Sequence, residues 1–311
     1  MSRRSLSCAN DALVDEIAAE ALSAGQSALG ACLAGFFAAA AKSEDSLFSP
    51  VSIILGGVGT GGRAFDGRLR QPGLGVKRPR GFMHEAEVPV AARIAIPCGL
   101  AAAAVACAYQ AGTSMSTVLR PALQIAKKTG ARVEVLERVK QLGGNALRDP
   151  LFARPFTLLA GPTEGGVVSI EDLVPQQGLD VPLGVRDAEC GRIQEPPWVS
   201  DGETAPPSEN TRVVLAIDVH GGFAALSFQR ALGPTLEGLD LRAPLGAQPV
   251  MRGVPREKPG SALAAPAPIG LLVGETGAVT AVVAQPAAAR VDVPSLMLTR
   301  DAGTRRVDRV K

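Results

Sequence analysis

Apolar residues follow a helical spacing through the first part of the chain. Residues 10–24 carry apolar side chains on one helical face, which predicts an amphipathic helix. Residues 26–42 are almost wholly apolar, which predicts a second and buried helix. The same spacing predicts three further helices, over 100–110, 116–130 and 134–142. In the second of these three, Ser116 is expected to be the N-cap and Gly130 to follow the last turn.

Strand-like patterns appear elsewhere. The stretch "SIILGGVGTGGRAFDGR" (52–68) predicts a strand, a turn and a strand, and 88–97 predicts a further strand. Two hairpins are predicted later, over Thr211–Gln229 and Ala267–Gln285. Helices mixed with strands come first and antiparallel strands follow, an order that indicates an α+β fold rather than repeated βαβ units.

Residues 176–210 differ in composition from their neighbours. They end in "QEPPWVSDGETAPPSEN", which is rich in Pro, Glu and Ser and is typical of an exposed linker. This linker separates a first half, 1–175, from a second half, 211–311. We expect the two halves to form one globular domain.

The composition excludes several classes of partner. The net charge is +2 and the basic residues are scattered, so we expect neither nucleic acid nor a membrane as a partner. The N-terminal stretch has acidic residues where a signal peptide would be apolar, and the five cysteines form no C-x-x-C pair. These features predict a cytoplasmic protein with reduced thiols. Two histidines and these cysteines have no zinc-site spacing, so no metal and no cofactor is expected.

The glycine-rich stretch "GGVGTGG" (56–62) raises two alternatives, a phosphate-binding loop or a tight turn. It lacks the Gly-Lys-Ser/Thr of a P-loop. Gly67, Pro72 and Gly73 follow it and block the helix that would have to receive a phosphate. A hairpin turn is therefore the favoured interpretation.

Four stretches of the first half resemble the γ-glutamyltransferases, which are N-terminal-nucleophile (Ntn) hydrolases. The helical stretch 24–41 resembles the family's "GGNAVDAAVAAALALGVV", and "AFDGRLRQP" (64–72) resembles "ALDFREKAP". Residues 94–133 follow a longer family segment almost without gaps, and "GGVVSIEDL" (165–173) resembles "GGLLTLEDL". The resemblance implies an α+β fold, a four-layer αββα sandwich with two stacked antiparallel sheets.

The second half resembles the family's catalytic chain in reduced form. Its "TRVVLAIDVHGGFA" is similar to "TTHxSVVDxxGNAV", and Thr211 precedes Asp218 by the family's spacing. The resemblance implies that the chain cuts itself between Asn210 and Thr211, after which Thr211 is the nucleophile and its own amine the base. The family's oxyanion-hole glycines fall on Ala287 and Ala288, whose backbone N–H groups would serve equally.

The resemblance also implies substrate-binding residues, with departures. Arg68 stands where the family's arginine holds the substrate α-carboxylate; it would otherwise be a solvated side chain or a structural partner of Asp66. A family threonine falls on Gln229, which can donate a hydrogen bond, and the family's serine pair falls beside Ser261. The long helical segment that precedes the family's nucleophile is absent.

The sequence therefore leaves two candidate functions. The first is a γ-glutamyltransferase-like amidase or acyltransferase that self-cleaves and acts on a small amide-bearing acid. The second is an uncleaved, inactive relative that serves as a binding or structural subunit. The sequence leaves open whether the chain forms a homo-oligomer or joins a partner subunit.

Overall fold

Two antiparallel sheets stack face to face in the computed structural model of the protein. The structure describes residues 4–310 except 58–59, 78, 80, 176, 189–190, 201–209, 276 and 285–295. The predicted α+β sandwich with two stacked antiparallel sheets is confirmed.

The first sheet has six strands in the order β1-β7-β8-β2-β3-β4. It takes strands from both predicted halves, because β7 and β8 lie between β1 and β2. Its strands are β1 (Leu6–Ala9), β2 (Val51–Gly57), β3 (Thr60–Gly67), β4 (Asp180–Pro182), β7 (Thr211–Ile217) and β8 (Gly222–Gln229).

The second sheet also has six strands, in the order β14-β13-β12-β11-β6-β5. Its strands are β5 (Gly184–Ala188), β6 (Gly191–Glu195), β11 (Ile269–Val273), β12 (Val279–Ala284), β13 (Leu296–Arg300) and β14 (Val307–Val310). A separate two-stranded pair is formed by β9 (Thr235–Leu236) and β10 (Leu241–Arg242). Side chains from both large sheets, including Leu215 and Val282, share one buried cluster between them.

Helices cover the opposite face of the first sheet. These helices are α1 (Ala12–Ser23), α2 (Ala28–Lys42), α3 (Gly99–Tyr109), α4 (Met115–Val118), α5 (Arg120–Thr129), α6 (Val133–Leu142) and α7 (Pro150–Ala160). The short helix α8 (Pro197–Ser200) instead places Trp198 in the cluster between the two sheets. The predicted central helix is α2, whose Phe36 meets Phe228 of β8 edge to face at 5.2 Å. Of the described helices, none is long and apolar enough to cross a bilayer.

The prediction that 116–130 is one helix capped by Ser116 was wrong in detail. Ser114 caps α4 by accepting the N–H of Thr117, and the helix restarts as α5. Pro121 explains the break, because proline has no N–H to continue the ladder of α4. Gly130 does follow the last turn of α5, in a left-handed conformation with φ of 71°.

Two predicted stretches also adopt other structures. Residues 88–97 are not a strand: Val90–Arg93 forms a 3-10 turn, and Ile94 and Ile96 make only isolated bridges. The predicted linker 176–210 contributes β4, β5, β6 and α8. Its strands are three to five residues long and interrupted by Gly and Pro, so their pattern resembled a loop.

Candidate active site at one end of the first sheet

Thr211 and Arg68 lie at the same end of the first sheet. Thr211 pairs with Gln229, whose N–H donates to the carbonyl of Pro50 at 3.3 Å. The neighbouring pair on β2 and β3 is Val51 with Gly67, and Arg68 follows directly. Thr211 and Arg68 therefore stand on β7 and just past β3, about 14 Å apart at three strand spacings of roughly 4.8 Å.

Thr211 and Arg68 form one row across the end of the first sheet, and their side chains point into the space between the two sheets. On β7, Val213 and Leu215 belong to the cluster between the sheets, and the alternation of a strand puts Thr211 on the same face. On β3, Ala64 belongs to that cluster, and the same alternation directs Arg68 inward. The sequence-predicted nucleophile and the sequence-predicted anion holder are thus brought to one end of one interlayer space.

Asn10 holds the start of β7 in place. Thr211 is 2% exposed, and its carbonyl accepts a hydrogen bond from Asn10 Nδ2 at 3.0 Å. The N–H of Val213 donates to Asn10 Oδ1 at 2.9 Å. The side chain of Asn10 therefore continues the ladder between β1 and β7 beyond Ala9. Sequence reasoning missed this residue, because the two partners are about 200 positions apart.

The peptide bond between Asn210 and Thr211 is held from the other side by β8. The carbonyl of Asn210 accepts the backbone N–H of Arg230 at 3.1 Å. The two carbonyls that flank Thr211 therefore point in opposite directions, one towards β1 and one towards β8. This alternation is that of an ordinary strand, so the candidate cleavage bond is part of the sheet.

Arg68 is a buried side chain with a structural partner. Its Nε and NH2 donate to the two carboxylate oxygens of Asp66, each at 3.0 Å. Arg70 donates to the same carboxylate at 2.8 Å. The guanidinium of Arg68 also lies 4.7 Å from the ring centroid of Trp198, a residue of α8. Arg68 and Arg70 thus both donate to the carboxylate of Asp66.

The carboxyl group of Asp66 is ionised in this setting. Burial alone would raise the pKa of Asp66, but hydrogen bonds from Arg68 and the charges of Arg70 and Arg68 outweigh burial. The net effect lowers the pKa of Asp66 below its ordinary value.

Ser261 lies beside the chain that follows Arg68. Its carbonyl accepts the N–H of Gln71 at 2.9 Å, and the next residues pair with that stretch through the bridge between Arg70 and Ala262. The Ser261 hydroxyl donates to Glu257 at 2.9 Å. The structure thus brings Ser261 near the arginine pair. Ala287 and Ala288 lie outside the described residues.

The glycine-rich turn lies at the far end of the sheet from Thr211. β2 and β3 form the predicted hairpin, and their turn follows Gly57, whose φ is 134°. This end borders a cavity of about 450 Å³, which Asp218 and His220 also line. The buried carboxylate of Asp218 accepts the N–H of Ala28 at the start of α2. From this end of the sheet, β3 leads back to Arg68.

No protein-family model and no curated protein matches the sequence. Solved structures do match. Cephalosporin acylase from Bacillus halodurans superposes with a TM-score of 0.63 at 12% identity, over 89% of this chain and 76% of that one. γ-Glutamyltranspeptidase from Helicobacter pylori superposes with a TM-score of 0.52 at 16% identity, over 65% of this chain and 73% of that one.

The protein has the Ntn-hydrolase fold. A second γ-glutamyltranspeptidase, from Pseudomonas nitroreducens, agrees, with a TM-score of 0.51 at 18% identity over 63% of this chain and 71% of that one. The resemblance to γ-glutamyltransferases in the sequence is thereby confirmed as a likeness of fold. Within this Ntn-hydrolase fold the chain is divergent, since fewer than one residue in five is identical.

Proposed function

We propose that the protein is an Ntn-type amidase or acyltransferase that cuts its own chain between Asn210 and Thr211. The observation that carries the proposal is the shared row of Thr211 and Arg68 on the face between the sheets. A nucleophile and an anion holder must face the same space to act on one substrate. The similarity of the fold to acylases and transpeptidases supports the same reaction class.

The reaction needs few groups. After cleavage, the Thr211 hydroxyl attacks the carbonyl carbon of the substrate amide while the new α-amino group accepts the hydroxyl proton. The proton then passes to the leaving amine, and an ester to Thr211 remains. Water or a second amine attacks that ester and returns the proton to the hydroxyl. Backbone N–H groups of Ala287 and Ala288 are the proposed oxyanion donors, each worth about 3–4 kcal/mol.

The substrate is a small amide that carries a carboxylate. Arg68 stands where the resemblance places the carboxylate holder, and an arginine guanidinium can hold a carboxylate through two parallel hydrogen bonds. Gln229, which pairs with Thr211, is a candidate donor to the acyl portion of the substrate. Ser261 lies close enough to the arginine pair to line the same subsite.

One observation favours the alternative of an uncleaved, inactive subunit. Trp198 is buried over Arg68, and its Nε1 donates to Ser52 at 3.2 Å. In the intact chain the indole therefore occupies space next to the guanidinium that a substrate would need. If the chain stays intact, this side chain keeps the site filled and the protein would act by binding through another surface.

Intact-mass measurement of the purified protein tests the two functions. Two fragments that meet between Asn210 and Thr211 support the enzyme, and one species of 31.9 kDa supports the subunit. Thr211→Ala should abolish cleavage, and Thr211→Ser should retain it because a hydroxyl remains. The matched control is Thr235→Ala, at an exposed strand position away from the site, which should cleave like the parent. Amidase activity that survives Thr211→Ala would refute the assignment of the nucleophile.

A further inference from the structure

The structure assigns a role to the backbone of Arg230: we propose that its N–H group is the oxyanion donor for the self-cleavage step. This inference rests on the proposed function, because it concerns the cut between Asn210 and Thr211. It identifies a group that the sequence comparison did not supply, since a backbone N–H has no residue signature.

The geometry is that of a donor already in place. The N–H of Arg230 donates to the carbonyl oxygen of Asn210 at 3.1 Å, and this carbonyl belongs to the bond to be cut. Effective oxyanion donors lie about 2.7–3.1 Å from the position that the oxygen occupies once it is charged, and the Arg230 N–H already points at this oxygen in the ground state. The contact therefore needs little movement before the reaction.

The direction of this N–H is fixed by its neighbours. The N–H of Gln229 donates to Pro50 at 3.3 Å, and the N–H of Ala231 donates to Asp45 at 2.7 Å. Both point away from β7, so the intervening N–H of Arg230 must point towards it. A donor held on both sides pays no reorganisation cost when charge develops on the oxygen.

The chemistry of the step accounts for all atoms. The Thr211 hydroxyl oxygen bonds to the carbonyl carbon of Asn210, and the carbonyl oxygen carries the negative charge of the intermediate. The bond from that carbon to the Thr211 nitrogen then breaks, and the hydroxyl proton ends on the nitrogen. Water hydrolyses the resulting ester, giving a carboxyl group on Asn210 and the free hydroxyl and amine of Thr211. The Arg230 N–H stabilises the charged oxygen in both stages.

The side chain of Arg230 forms an ion pair away from the Asn210 carbonyl, so its effect can be separated from that of the backbone N–H. Its guanidinium pairs with the carboxylate of Asp45. Arg230→Ala removes this ion pair and keeps the backbone N–H. Arg230→Pro removes the ion pair and the N–H together. The preceding residue, Gln229, is already in a strand, the conformation that proline favours before it.

The experiment follows self-cleavage of the intact chain by mass over time. We expect Arg230→Ala to cleave within about threefold of the parent rate, and Arg230→Pro to cleave at least about 100-fold more slowly. Hydroxylamine attacks an ester but not the starting amide. Hydroxylamine should therefore not restore cleavage of Arg230→Pro, because the ester would not form in this variant. If the variant were slow only in ester hydrolysis, hydroxylamine would restore cleavage.

The outcomes separate this inference from the proposed function. If the parent chain never cleaves, the proposed function fails first. If the parent cleaves and Arg230→Pro, folded by circular dichroism, cleaves at the rate of Arg230→Ala, only the role of the N–H is refuted. If Arg230→Pro does not fold, a semisynthetic chain with an ester in place of the amide between Gln229 and Arg230 removes the N–H alone. Cleavage of that chain at the parent rate overturns the inference, and a loss of about 100-fold supports it.

Discussion

The guanidinium of Arg68 lies against the indole of Trp198, 4.7 Å from the ring centroid, and both side chains are buried. Arg68 follows the third strand of the first sheet, and Trp198 comes from the short helix before the candidate cleavage bond. The contact therefore connects the proposed anion holder to the segment that precedes the candidate cleavage bond.

Trp198 is the only tryptophan, so its fluorescence reports on this contact. In the uncleaved Thr211→Ala protein we expect short-wavelength emission and weak quenching by iodide, because the side chain is 4% exposed. If cleavage frees α8 from the interlayer space, the emission of the cleaved parent should move to longer wavelength. Emission typical of exposed tryptophan in the uncleaved protein would contradict the buried position.

Asp66→Asn should destabilise the protein at neutral pH by about 3–5 kcal/mol, because Arg68 and Arg70 would lose their shared charged partner. The lowered pKa of Asp66 means that its stabilising effect is complete above the unfolded-state value of about 4. That effect is lost as the pH falls through the folded-state pKa. Urea unfolding at several pH values should therefore show the parent and Asp66→Asn converging in acid.

The control for this pH series is Asp187→Asn, which changes an exposed carboxylate paired with Arg192. Exposed pairs contribute little, so the free energy of unfolding should change by less than about 1 kcal/mol. If the difference in free energy of unfolding between the parent and Asp66→Asn stayed constant down to pH 2, the stabilising effect of Asp66 would not depend on its charge.

Asn10→Ala should slow self-cleavage by roughly tenfold, because the carbonyl of Thr211 and the N–H of Val213 lose the side chain that holds them. The measurement is the rate of fragment formation by mass. Asn145→Ala, at an exposed position of a different segment, is the matched control and should leave the rate unchanged. Equal rates for both variants would mean that β8 alone aligns the bond.

Three buried thiols should resist alkylation in the folded protein. Burial raises the pKa of Cys8 to about 11, of Cys98 to about 11 and of Cys107 to about 12. Few thiolates exist at pH 8 under these conditions, and the thiolate is the reactive form. Iodoacetamide followed by peptide mapping should leave these three unmodified in the native state and modify them in denaturant. Rapid native labelling of Cys98 would instead mark it as a reactive group.

Local patterns predicted the parts of the fold that depend on near neighbours. The helix α2 and the hairpin of β7 and β8 were found because their apolar spacing and turns lie within about 20 residues. The short strands β5 and β6 were missed although they pair with each other as a local hairpin, because neither shows a regular apolar alternation. Five-residue strands of this composition give little local signal, and the pairing of β6 with β11, almost 80 positions later, joins them to the second sheet.

The candidate site also contains residues that the sequence indicated and residues that only the structure revealed. Thr211 and Arg68 are candidates because the family resemblance covers their motifs, and the structure places both at the same end of the first sheet. Asn10 could not be predicted from its own surroundings, because it acts on a strand from the other half of the chain. The backbone of Arg230 was equally hidden, since any residue except proline supplies an N–H.

The alternation of strands from the two halves has a mechanical consequence. In the first sheet β7 and β8 are flanked by β1 and β2, and in the second sheet β6 is bonded to β11. A chain cut after Asn210 would therefore consist of two fragments, and each fragment would contribute strands to both sheets. The two fragments would elute as one complex in size-exclusion chromatography. Neither fragment expressed alone could complete either sheet.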